Sequence, residues 1–226
     1  MKILVFSDTH LTDKFNRELC DYIAKLVKSA DQVIINGDFW DAYLTTFNRF
    51  ITSEWKELFP LLKEKNTVYI FGNHDKKKFM DERYTLFSNT QGTYYEFKSG
   101  SREFYVTHGH LIVPAIDSFF LFRNPTFARY LYRLFLFLVS RIIVISKIFH
   151  FIEYRKNLKQ LQKMKKFTED KNTNQFFIFG HSHIPDIKIS KHFISLGKLQ
   201  ADVKYHCMIE DGYVDLISKE SKPNEH

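Results

Sequence analysis

Lys2-Ile3-Leu4-Val5-Phe6-Ser7-Asp8-Thr9-His10 is the stretch whose reading decides the fold. Ile3 to Phe6 form an unbroken apolar run with two β-branched members, the pattern of a strand buried on both faces. At its end the polarity flips, and a carboxylate and an imidazole appear two positions apart. In extended chain, side chains at i and i+2 project the same way, so Asp8 and His10 are set to converge just beyond the strand. Taken alone, the stretch reads as a polar turn. Its recurrence along the chain changes that reading.

Working outward, Phe15, Leu19, Tyr22, Ile23, Leu26 and Val27 recur at helical spacing. A second apolar strand over 32–36 ends in Gly37-Asp38, and the spacing then predicts a helix over 47–62. A third strand over 67–71 ends in Gly72-Asn73-His74-Asp75. Strand, helix, strand, helix, strand predicts parallel βαβ units in an α/β fold, whose right-handed crossovers bring successive strand ends to one edge. Ligands of open α/β sheets bind at that edge. From Gly92 the pattern becomes alternating strands. A hairpin over 93–97 and 102–107 turns at Lys98-Ser99-Gly100-Ser101 and ends in His108-Gly109-His110. A strand over 175–179 ends in Gly180-His181-Ser182-His183. Short strands are predicted over 186–190, 192–196, 205–210 and 213–217, the last two joined by Asp211-Gly212, with a frayed tail from Ser218.

With 226 residues the chain can bury one sizeable core, so one domain over 1–226 is expected. Its 44% hydrophobic and 26% charged residues are ordinary for a globular protein, which excludes disordered and fibrous classes. Cys20 and Cys207 give no disulfide framework and no CxxC, as in a reducing compartment. The first residues lack a signal peptide's apolar region, and no run reaches the ~18 uncharged apolar residues of a spanning helix. A cytoplasmic location, at most peripheral on a membrane, is expected. The net charge of +7 is concentrated: Asp117 to Lys166 carries eleven Lys/Arg against two acids, leaving the rest of the chain slightly acidic.

Collected, the strand ends offer Asp8, His10, Asp38, Asn73, His108, His181 and His183, with His74 and His110 beside them. Carboxylate, amide oxygen and imidazole suit borderline-hard divalent ions, and seven donors match two metals sharing a carboxylate. Paired metals are the device for in-line phosphoryl displacement. Singly, Asp8, Asp38 and Asn73 are also helix N-caps. As a set, D-x-H, G-D, G-N-H-[DE], H and G-H-x-H in this order resemble the calcineurin-like metallophosphoesterases. The resemblance implies a four-layer α-β-β-α sandwich, a phosphoesterase activity and two divalent ions, most commonly Mn²⁺, with Fe²⁺, Zn²⁺ or Mg²⁺ as alternatives. It implies that Asp38 bridges the metals, that Asp8, His10 and His183 complete one site, and that Asn73, His108 and His181 complete the other. His74 becomes the acid facing the leaving oxygen and Asp75 the residue orienting it, while the residues themselves leave His110 with two readings, behind the ligands if its ring reaches one and otherwise a loop residue.

Segment 111–174 is read as an inserted basic, aromatic-rich helical cap, opening at Asn124-Pro125. Its aromatics exceed what one helix needs for packing, which favours a lipid chain or an anionic membrane surface as its partner. Gly37-Asp38-Phe39-Trp40-Asp41 and Phe122-Arg123…Leu131-Tyr132-Arg133-Leu134-Phe135 look like UDP-2,3-diacylglucosamine pyrophosphohydrolases, peripheral membrane enzymes of lipid A synthesis. That likeness makes Arg123, Arg129 and Arg133 substrate-binding and a lipid-linked nucleotide pyrophosphate the substrate. His74 and His108-Gly109-His110 differ from the arginine and H-G-D of those enzymes and match general phosphodiesterases. Two other readings follow: a phosphodiesterase or nuclease whose basic segment grips nucleic acid, and a scaffold of this fold without catalysis. The apolar cap argues against nucleic acid, and the complete ligand set argues against a scaffold. Oligomeric state is not legible.

Overall fold

The computed structural model describes residues 1–114, 143–171, 173–188 and 192–220, together with the helical positions Phe127, Tyr130, Leu131, Leu134 and Phe137. Arg123, Arg129, Arg133 and the Asn124-Pro125 helix start lie outside the described residues. Two sheets face each other. The first runs β11-β10-β1-β2-β3-β4, built from β1 (Lys2–Phe6), β2 (Gln32–Asn36), β3 (Val68–Ile70), β4 (Thr90–Gly92), β10 (Val203–Glu210) and β11 (Tyr213–Glu220). The second runs β5-β6-β7-β9-β8, from β5 (Tyr94–Ser99), β6 (Arg102–Thr107), β7 (Phe176–Phe179), β8 (Asp186–Lys188) and β9 (Phe193–Ser195).

β1 to β4 are parallel, and Phe6 pairs with Ile35 while Asn36 pairs with Ile70, so the three strand ends stand level. In the second sheet β6 and β7 are parallel, with Thr107 opposite Phe179. The apolar runs of β1, β2 and β7 are continuous because each strand is covered on both sides. Ile3, Val5, Ile34, Ile70, Val106 and Ile178 fill the space between the sheets. Leu4, Phe6, Val33 and Ile35 point outward, where α1 (Arg17–Lys28), α2 (Phe47–Thr52) and α3 (Phe59–Glu64) cover them with Leu19, Ile23, Phe50 and Leu62. The outer face of the second sheet carries Phe177, Phe179 and Phe193 against Leu161 and Met164 of α4 (Ile143–Lys171). The result is the expected α-β-β-α sandwich. Aromatic rings dominate the first helical layer, with Phe39 in contact with Phe50, Tyr69 and Phe87. Burying each contributes roughly 1.5–3 kcal/mol.

Three local expectations are corrected. The helix over 47–62 is broken into α2, a 3-10 turn at Glu54–Leu58 and α3. Ser53 adopts extended backbone with ψ 175° and turns its hydroxyl back to the Phe50 carbonyl, and Pro60 has no N–H to continue the earlier ladder. The hairpin turn is two residues, Gly100-Ser101, with Gly100 at φ +56°. The tail is not frayed from Ser218, because Ser218 pairs with Tyr205 and β11 runs to Glu220. Strand β4 was not foreseen. Thr90-Gln91-Gly92 has no apolar alternation and owes its place to β3.

Candidate metal centre

All five motif segments lie at the level strand ends, and a polar seam stitches the two sheets together there. Asn36, fully buried at the end of β2, donates its amide to the Thr107 carbonyl at 3.1 Å, and its own carbonyl faces His108 Nδ1 at 2.8 Å. The His181 backbone N–H reaches the Asp8 carboxylate at 3.1 Å, joining β7 to β1. Five candidate ligands hold left-handed backbone: Asp8 at φ 55°, His10 at 48°, Asp38 at 52°, His181 at 63° and His183 at 56°. Asp and His tolerate this region better than most residues, yet each instance costs of order 1–3 kcal/mol and persists only where the surroundings enforce it. The tight bends aim the side chains back over the sheet edge. Gly72 permits the close approach, since a Cβ there would fall on the Asp38 carboxylate.

Asp8, His10, Asp38 and His183 each present a ligand atom within 4.8 Å of one another. His183 Nε2 lies 3.2 Å from Asp8 Oδ1, and His10 Nε2 lies 3.4 Å from His183 Nε2 and 3.7 Å from Asp38 Oδ2. A second group forms on the other side of Asp38. His108 Nε2 is 3.3 Å from Asp38 Oδ2 and 3.1 Å from Asn73 Oδ1. Because His108 Nδ1 faces a carbonyl, which only accepts, that nitrogen carries the proton of the neutral ring, and Nε2 presents a lone pair to two oxygens. With that ring neutral, three acceptors face one another, a place that a proton or a metal cation can fill. Asp38 Oδ2, buried and with no hydrogen-bond donor, is shared by both groups.

His181 packs its ring 5.3 Å from that of His108, and His110 lies 5.5 Å from His108 and 6.4 Å from His181, behind the second group. His181 turns Nε2 away, to the Val113 carbonyl at 3.0 Å. The same tautomer argument leaves Nδ1 as its ligand atom. The residues therefore fit divalent-metal binding, in the chemistry of the donors and in the orphaned carboxylate oxygen of Asp38.

The protonation states agree. Burial alone would raise Asp8, but hydrogen bonding and the charge of His183 hold it at about 2. Burial is likewise overcome at Asp38, where His108 and His74 hold the carboxyl well below its usual range. For His108 burial is outweighed by Asp38, and its pKa rises to about 10. A proton there occupies the position a metal would take. Burial, then the charge of His108, lowers His181 to about 3 and keeps it neutral.

One expectation fails on contact geometry. Asp75 does not orient His74. Its carboxylate accepts from Gly72 N at 2.6 Å, Phe39 N at 2.7 Å and the Tyr69 hydroxyl at 2.6 Å, which tie two strand-end loops together. Burial, then repulsion from Asp38, raises its pKa to about 6. The carboxylate at His74 is Asp41, with Oδ2 3.0 Å from His74 Nδ1 and 3.3 Å from His10 Nδ1. Burial of Asp41 is overcome by His74 and His10, which hold it below the usual carboxylate range. Asp41 was passed over as a site residue. The signal was its place three residues after Asp38, where the turn that carries Asp38 returns to the site. His74 itself is one-fifth exposed, with its backbone N–H on Asp38 Oδ1 at 2.8 Å.

Residues 1–206 match the Calcineurin-like phosphoesterase superfamily domain, and the chain belongs to that family. Among solved structures it is similar to Yfce, a phosphoesterase from E. coli, at 14% identity and TM-score 0.50, covering 96% of this chain and 92% of that one. It is also similar to Vps29 complexed with zinc from Entamoeba histolytica, at 13% identity and TM-score 0.49, covering 97% and 99%. A predicted phosphoesterase from Streptococcus pneumoniae aligns at 17% identity and TM-score 0.44, over 99% and 93%. At these identities the likeness is one of fold. No curated protein matches the chain. Family and cluster together point to a divalent-metal-dependent phosphoesterase. No described helix is long and apolar enough to cross a membrane.

Proposed function

We propose that this chain hydrolyses a phosphodiester or pyrophosphate bond at a dinuclear centre, in a lipid-linked nucleotide resembling UDP-2,3-diacylglucosamine. The observation that carries the reaction is the shared, orphaned Asp38 Oδ2 between two groups of lone-pair donors. Two divalent ions, Mn²⁺ the first choice, would lower the pKa of an attacking water and neutralise charge on both oxygens of an in-line displacement. The chain's own residues do the rest. Asp38 Oδ1 takes the backbone N–H of His74 and fixes that residue at the rim. Asp41 accepts from His74 Nδ1, which selects the tautomer and stabilises the imidazolium, so that His74 Nε2 is the atom that gives a proton to the leaving oxygen.

Support for a lipid-linked substrate is the exposed apolar surface between β6 and β7. Phe127, Tyr130, Leu134, Phe137, Ile148, Phe151, Ile152 and Tyr154 are all exposed, within a segment of eleven Lys/Arg and two acids. Apolar contact with acyl chains and cationic contact with phosphate would both be met there. A nucleotide or nucleic-acid substrate is the second reading, favoured by the same charge.

With Mn²⁺ present, Asp38→Ala and His74→Ala are each expected to reduce turnover of bis(p-nitrophenyl) phosphate at least about a thousandfold. Unchanged turnover sinks the reaction assignment. Mass spectrometry of ligand extracted from the purified protein tests the substrate: a two-tailed lipid supports it, and a plain nucleotide replaces it with the second reading.

A further inference from the structure

The described part of α4 has a core-facing stripe that is not uniformly apolar. Leu161 and Met164 pack on Phe177 and Phe179, as an amphipathic helix requires. Between them and the metal centre stands Gln160, only 5% exposed. A buried amide at a packing position is costly unless both of its ends are used. Gln160 puts its amide 3.0 Å from His181 Nε2.

The chemistry of the neighbours settles which end of the amide faces the ring. His181 Nε2 also lies 3.0 Å from the Val113 carbonyl, which only accepts, so Nε2 carries the proton. An amide NH₂ against that N–H would set donor against donor. In that same orientation Gln160 Oε1 is buried with no partner. Turning the amide so that Oε1 accepts from His181 Nε2 removes both conflicts, and the two ends of an amide are told apart by such networks alone.

We propose that Gln160 is a positioning residue of the metal centre, a hydrogen-bond acceptor from the inserted helix that shares the Nε2 proton of His181 with Val113 and so leaves Nδ1, on a ring packed beside His108, as the atom that can ligate. The proposal rests on the dinuclear reading above and adds to it that the second metal site is completed from outside the strand ends. Val113 contributes only a backbone carbonyl, steadied by its own N–H on the Gly109 carbonyl at 2.9 Å. Gln160 contributes an acceptor whose position depends on how α4 seats on the second sheet. Occupancy of the second site is thereby coupled to the docking of the inserted segment, whereas the group of Asp8, His10, Asp38 and His183 is not.

The test uses the full chain stripped with a chelator. Mn²⁺ is titrated in while the signal of the free ion is followed by electron paramagnetic resonance, so that two sites are counted separately. Gln160→Leu is expected to weaken the second uptake about 10- to 100-fold and leave the first unchanged, the range found when the outer partner of a ligating imidazole is lost. Gln160→Glu, which keeps an acceptor oxygen, is expected to stay within about threefold of the parent chain. Circular dichroism confirms that each variant is folded. Identical titrations for the parent and Gln160→Leu overturn the proposal, and so does an equal loss in both folded variants. A parent chain that takes up no Mn²⁺ defeats the dinuclear reading instead. In that case ¹⁵N imidazole spectra of the same metal-free chain still decide the contact: a proton on Nε2 whose resonance shifts in Gln160→Leu supports it, and an unmoved resonance overturns it.

Discussion

The strand-end loops and the first half of α4 break the same rule in opposite directions. At the loops, Asp8, Asp38, Asp41, Asp75 and His108 are polar and at most 2% exposed. On α4, Ile148, Phe151 and Ile152 are apolar and more than half exposed. Buried polar groups and exposed apolar patches are the two departures from ordinary burial that carry information. The first is stabilised by acceptors that converge on cations and by backbone held in left-handed turns. The second lies on an exposed stretch of a continuous helix, where among the described residues no buried contact fixes these three side chains. On the proposed function, chemistry would sit where the chain is over-determined, and recognition where it is left open.

Substitutions can break that comparison, beginning with the most severe. Asp75→Ala removes one acceptor from three buried donors and is expected to cost about 3–5 kcal/mol of stability. Denaturant unfolding measures the loss, and a midpoint close to the parent's would show that the loops do not depend on it. Asp41→Asn keeps the volume but loses the anion beside His74 and His10. We expect it to lower kcat about 10- to 100-fold with a stability change under about 1 kcal/mol. If Asp75→Asn instead showed that signature, the roles assigned to the two carboxylates would have to be exchanged. At the far end, Ile148→Ser, Phe151→Ser and Ile152→Ser combined should move stability by no more than about 0.5 kcal/mol per site. The same triple variant should no longer cosediment with anionic liposomes. A large loss of stability would mean that this surface is core, and retained cosedimentation would remove it as a membrane contact.

Much of the layout was legible because β1, β2, β3 and β7 write their burial as apolar runs and end in residues with few other reasons to be adjacent. Asp8-x-His10 does bring both of its ligands into one group, although through left-handed backbone at each residue rather than the extended chain that the spacing assumes. What escaped was decided across the fold. Asp75 follows His74 directly and so looked like its partner, yet Tyr69, Phe39 and Gly72 surround its carboxylate. Asp41 returns to the site by a turn whose Tyr43 N–H bonds its Oδ1 at 2.8 Å, a local bond that sequence spacing alone does not display. Gln160 lies in the run Lys159-Gln160-Leu161-Gln162-Lys163, where one glutamine faces inward and the other outward. Nothing in that run distinguishes them.

His10 and His183 meet at 3.4 Å although 173 residues separate them. An ion held between these rings would act on the chain as a cross-link does, closing a loop that takes in β2 to β7, three strands of each sheet. In the chain-entropy account, closing a loop of that length removes on the order of 5 kcal/mol of freedom from the unfolded ensemble. The metal would then be a fastening as well as a reagent, drawing the first strand and the last ligand loop together at the edge where the left-handed turns leave the backbone under tension. With an ion held there, refolding of the chain would be checked by the ion itself. A chain that has mispaired its sheets has no place to hold the ion.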